Sequence, residues 1–125
     1  MKIWFDMDGT IADLYGVTDW LPALIARLLN KVQANGHEIG IISWTAKAGT
    51  AGYNARIYAA KVGWLGKHLP SVNWDTILVK PYGTDKRVAT GGGILFDDEE
   101  PNRTNWGEGA HTPAEIVEVL KALTR

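Results

Sequence analysis

At 125 residues, with 46% hydrophobic and 22% charged side chains and a formal net charge of -1, the chain has the composition of one folded domain over residues 1–125. The near-neutral balance excludes a large basic footprint for nucleic acid, and the lack of cysteine excludes a disulfide framework and any Cys-ligated zinc or iron–sulfur centre. There is neither a basic-then-apolar leader nor a run approaching ~18 apolar residues, so the expectation is a cytoplasmic protein with no membrane partner.

In chain order, Ile3 to Phe5 is a short buried strand that ends in Asp6 and Asp8. A helix follows, with Thr18 or Asp19 as cap and Pro22 in its first turn. Leu21, Leu24, Ile25, Leu28, Leu29 and Val32 share one face, and Asn35-Gly36 ends it. Ile39 to Ile42 predicts a second strand running into Ser43-Trp44-Thr45. A helix around Asn54 to His68 has Tyr58, Val62, Leu65 and Leu69 as its apolar face, although Gly63 and Gly66 weaken it. Thr76 to Val79 and Ile94 to Phe96 predict two more strands, separated by Pro81-Tyr82-Gly83 and a short segment near Lys86. Thr112-Pro113-Ala114-Glu115 is a capping box opening a last helix with Ile116, Val119, Leu120 and Leu123 inward, and a short edge strand fits near Ala110. Strands alternating with helices, with apolar strand interiors, predict an α/β fold whose mostly parallel sheet is covered on both faces.

The polar residues collect at strand ends. Asp6 and Asp8 follow the first strand, Ser43 and Thr45 the second, Asp97 and Asp98 the fourth, and in an open parallel sheet the ligand crevice lies beyond those tips. Four carboxylates on one rim call for a cation, and hard oxygen ligands suit Mg²⁺. A lysine and a hydroxyl would complete a cage for a phosphoryl group. Residues two apart in a strand share a face, so Asp6 and Asp8 can reach one phosphorus, one attacking while the other moves the proton. Gly9 allows close approach of the backbone, and the amides of Gly9 and Thr10 can donate to phosphate oxygens.

"DMDGT", "IISWT", a lysine and "LFDDEE" come in that order over residues 6 to 98, and they resemble the motifs of the haloacid dehalogenase-like superfamily of phosphohydrolases. The resemblance implies a three-layer Rossmann-like fold with a five-stranded sheet, strand one central. It implies Asp6 as nucleophile, Asp8 as general acid and base, and Mg²⁺ held by Asp6, the Asp8 carbonyl and Asp97, with Asp98 supporting through water. Ser43 matches the hydroxyl motif. Lys86 follows "PYGTD" as in small phage and bacterial members and is preferred over Lys80 as the phosphate-binding lysine. The intervals between motifs leave no room for a cap domain. Together these imply a Mg²⁺-dependent phosphomonoesterase with an open site. A nucleotide 5′-phosphate is the first choice of substrate, with a nucleic-acid end or a phosphoprotein as alternatives. Tyr15, Trp44 and Tyr53 are expected walls of the pocket, with Thr45 beside them.

Other readings fit less well. A calcium loop counted from Asp6 would need glycine at Ile11 and glutamate at Val17. The glycines at 91–93 precede a strand and lack the helix N-terminus of a phosphate loop. His37, His68 and His111 match no metal-ligand spacing. Asn102 and Arg103, just after the last acidic pair, are better candidates for the site than Arg87. A phosphate-accepting module without turnover, or a lapsed scaffold, stays open as another class.

Overall fold

The apolar runs of the sequence become the strands of one sheet. In the computed structural model, which describes residues 1–12 and 21–125 and only the backbone of Leu21 and Pro22, these are β1 (Lys2–Phe5), β2 (Glu38–Trp44), β3 (Thr76–Lys80), β4 (Ile94–Phe96) and β5 (Ala110–His111). They pair in the order β3-β2-β1-β4-β5, every neighbour parallel, with β1 in the centre. The helices are α1 (Leu21–Ala34), α2 (Ala51–His68), α3 (Lys86–Thr90), α4 (Glu100–Trp106) and α5 (Ile116–Leu123). The Thr18 or Asp19 cap and the Tyr15 pocket wall lie outside the described residues.

Both faces of the sheet are apolar, which is why the strands read as continuous runs rather than alternating ones. Ile3, Phe5, Ile39, Ile41 and Phe96 pack on one face under Ile25, Leu28, Leu29 and Val32 of α1, Ile116 and Leu120 of α5, and Leu65 of α2. Trp4, Ile42 and Leu95 pack on the other against Trp106 of α4 and Ala89 of α3. Gly40 makes room for Trp4, since a Cβ there would stand 2.5 Å from the indole ring. Burying a side chain such as Leu29 or Phe5 contributes about 1.5–3 kcal/mol, and the two clusters are the main source of stability.

Several boundaries differ from the sequence expectation. α2 begins at Ala51 because Thr50 caps it, its hydroxyl accepting from Tyr53 N at 3.2 Å. β2 runs on through Ser43 and Trp44, which pair with Val79 and Lys80 of β3. α4 is an element the sequence pattern does not predict, and Pro101 stands in its first turn, just after the last acidic pair. The capping box is present at Thr112 and Glu115, but its first turn is a 3-10 turn over Pro113–Glu115 that leads into α5. Among the described residues no helix is long and apolar enough to cross a membrane.

The chain runs outward from β1 through β2 to β3, then crosses back to lay β4 and β5 on the other side of β1. The strand order reverses between β1 and β4. A ligand crevice is expected beyond the C-terminal tips at that point.

Candidate active site

Register brings the tips level. Phe5 aligns with both Ile41 and Phe96, so Asp6 and Asp97 follow side by side, and the ladder continues through Asp6 N to Phe96 O (2.9 Å) and Asp97 N to His111 O (3.1 Å). Lys86 reaches them from α3. Asp85 caps that helix by accepting from Val88 N at 3.1 Å, which holds its carboxyl below the usual range and makes Lys86 the first helical residue. Lys86 Nζ then lies 2.9 Å from Asp6 Oδ1 and 2.7 Å from Asp97 Oδ2. Lys80 ends β3, two strands away from β1. Of the two lysines, the one that joins the aspartates is Lys86.

Burial pushes the Asp6 carboxyl up to about 7; Lys86 pulls it down and neighbouring Asp97 pushes it up further. For Lys86 burial disfavours the charge, but Asp6 and Asp97 outweigh it, and its pKa is raised. Oxygens of Asp6, Asp97 and Asp98 lie within 4.8 Å of one another. Lys86 thus bridges Asp6 and Asp97, with the Asp98 carboxylate beside them. Asp97 is fully buried and tightly held: Oδ1 accepts from Glu99 N (3.0 Å), Oδ2 from Asn102 Nδ2 (3.2 Å), and its carbonyl from Arg103 Nη1 (2.9 Å). Asn102 and Arg103 therefore touch the site by fixing Asp97. Arg87 instead donates to the Trp106 carbonyl.

Past Asp6 the chain leaves the sheet. Ile11 N reaches Asp6 O (3.3 Å) and Ala12 N reaches Met7 O (3.0 Å), forming a wide turn with Gly9 at φ +76°. Two-residue strand alternation therefore does not relate Asp6 to Asp8, contrary to the sequence argument. A turn separates them, and they end in opposite environments: the Asp6 side chain is 12% exposed and that of Asp8 86%. Thr10 is completely buried, with its Oγ1 3.5 Å from Asp6 Oδ2, so its side chain packs against Asp6. Gly9 does lie against the acidic cluster, since a Cβ there would stand 2.1 Å from Asp98 Oδ2.

Asp8 is held by a residue that sequence reasoning missed. Lys61 Nζ lies 3.0 Å from Asp8 Oδ2 and 3.0 Å from Ser43 Oγ. Of the residues expected on the apolar face of α2, Leu65 and Leu69 are buried, but Tyr58 is 46% exposed, and Lys61, not expected there, is buried. A signal existed: Ile57, Lys61, Trp64, Leu65 and His68 fall at helical spacing, and a lysine within such a stripe needs a buried partner.

Two cavities meet at Asp8, Trp44 and Thr45. One of about 150 Å³ lies among Asp6, Ser43, Lys86 and Asn102. The other, of about 480 Å³, extends along α2 between Trp44, Ile57, Ala60 and Trp64. Trp44 walls both, with its indole N–H on Thr84 O at 2.9 Å and its ring 5.1 Å from Lys86 Nζ. Tyr53, an expected wall, is exposed and borders neither cavity.

No protein-family model and no curated protein matches this chain. The functional reading stands on the chemistry of the cluster. The small polar cavity offers a buried carboxylate, an ammonium and a hydroxyl at one point, and the larger cavity beside it is mostly apolar. That arrangement can hold an anion with an organic substituent.

Proposed function

We propose that the chain is a Mg²⁺-dependent phosphomonoesterase of the haloacid dehalogenase-like superfamily, acting through an aspartyl-phosphate on Asp6. The observation that carries the reading is Lys86 bridging Asp6 and Asp97, with Asp98 close by, at the point where the strand order reverses. The donor set fits the metal: Asp6, Asp97 and Asp98 are hard oxygen ligands short of positive charge, and the resemblance adds the Asp8 carbonyl. When bound, Mg²⁺ would keep Asp6 ionised and neutralise charge on the phosphoryl oxygens.

The residues divide the work. Asp6 attacks phosphorus as the ester P–O bond breaks, and Asp8 gives its proton to the departing oxygen. Asp8 then takes a proton from water while the water oxygen attacks phosphorus, freeing Asp6 and inorganic phosphate. Lys86 and the Ser43 hydroxyl hold phosphoryl oxygens. Asp8 borders both cavities, as a proton donor between a phosphoryl group and its leaving group must.

A nucleoside 5′-monophosphate suits the larger cavity, whose volume of about 480 Å³ and indole walls accommodate a base and sugar. The absence of a cap belongs to the same proposal: between β2 and β3 the only regular element is α2. The test is phosphate release, with and without Mg²⁺, from nucleoside monophosphates, sugar phosphates, phosphopeptides and a 3′-phosphorylated oligonucleotide. Release that needs the metal and is lost in Asp6→Asn is expected. A folded, Mg²⁺-binding protein that releases phosphate from none of them overturns the reading.

A further inference from the structure

Lys61 sits in the middle of α2, only 8% exposed, and its two hydrogen-bond partners, Asp8 and Ser43, both belong to the site. A lysine serving only the fold would gain little from Asp8, whose side chain is 86% exposed. The ammonium can only donate. Asp8 Oδ2 must therefore accept from it, which leaves Oδ1 as the oxygen that carries a transferable proton. Ser43 Oγ must likewise accept, so its own hydrogen is turned to another acceptor.

Resting on the phosphomonoesterase reading, we propose that Lys61 is a positioning residue that sets the hydrogen-bond polarity of the acid and the hydroxyl together. It commits Asp8 Oδ1 to the leaving oxygen and the Ser43 O–H to a phosphoryl oxygen. Lys61 makes no covalent change and keeps its protons throughout. Lys86 serves Asp6 and Asp97, and Lys61 serves Asp8 and Ser43, so each cation organises one side of the smaller cavity. Lys61 also lines the larger cavity, so a leaving group there lies against the side chain that orients the acid.

The test follows single-turnover release of the leaving group, which reads the first half-reaction alone, with two probes. A nucleoside 5′-monophosphate expels an alkoxide that needs a proton, whereas p-nitrophenyl phosphate expels a stabilised phenolate that does not. Lys61→Met is expected to slow nucleoside release about 10- to 100-fold, and nitrophenolate release less than about 3-fold, with weaker apparent binding of both esters. In an Asp8→Asn background the same substitution is expected to change nucleoside release less than about 3-fold, because the two residues act as one unit. Wild-type protein that releases both groups, with a Lys61→Met variant that slows both equally or neither, overturns the role of Lys61 and leaves the function standing. Wild-type protein that releases neither overturns both. If Lys61→Met lacks the native circular dichroism spectrum, Lys61→Leu, which likewise has no donor, is subjected to the same comparison, with the same two outcomes deciding.

Discussion

Lys86 Nζ and Asp97 Oδ2 stand 2.7 Å apart, with the lysine side chain 4% exposed and the aspartate 0%. Such a pair earns little net stability by itself, but removing one partner strands a buried charge. In metal-free protein Lys86→Ala should cost about 3–5 kcal/mol in urea unfolding and reduce phosphate release at least about 100-fold. Lys80→Ala, at the end of the sheet's edge strand, should leave release within a few-fold of wild type. The reverse ranking would reassign the phosphate-binding lysine.

Asp6 and Asp8 should separate kinetically. Asp6→Asn removes the nucleophile and should abolish phosphoenzyme formation as followed with a ³²P-labelled ester. Asp8→Asn should still form it, with both half-reactions slowed by about 10²- to 10⁴-fold. Near-wild-type turnover in either variant contradicts its assigned role.

The raised Asp6 pKa makes metal-free stability depend on pH. A group that binds its proton more tightly when folded adds stability below its unfolded value of 3.8 and loses it as the pH rises through about 7. Without Mg²⁺, the melting temperature of wild-type protein should fall between pH 4 and 8 relative to Asp6→Asn, on the order of 5 °C. Mg²⁺ should restore it at pH 8 more than at pH 5, because the metal competes with that proton. Parallel profiles for the two proteins would show that Asp6 titrates normally.

Gly9 serves the site through its backbone. Its φ of +76° disfavours any side chain, and a Cβ would stand 2.1 Å from Asp98 Oδ2. Gly9→Ala should lose about 1–2 kcal/mol of stability from the left-handed backbone. It should also weaken Mg²⁺ binding in calorimetry by displacing Asp98, whereas Gly63→Ala, where a Cβ meets nothing within 4 Å, should do neither.

Much of this was legible in the sequence because it depends on local pattern. The strands Ile3 to Phe5 and Ile94 to Phe96, the Thr112 to Glu115 capping box and the gathering of acidic residues at strand ends all follow from runs of a few residues. The parallel, doubly covered sheet follows from their alternation with helices. What sequence could not determine depends on where the chain goes after leaving an element. Asp6 and Asp8 look equivalent at i and i+2, yet the turn at Gly9 buries one and exposes the other. Thr10 looks like a phosphate contact and lies completely buried against Asp6. Lys61 looks like an ordinary charge on a weak helix until α2 is docked with Lys61 and Leu65 inward, where the ammonium meets Asp8 and Ser43. Local propensity acts within a few residues, but the environment of a charge is set by whatever the fold brings next to it. For Lys61 those neighbours are 53 and 18 positions away.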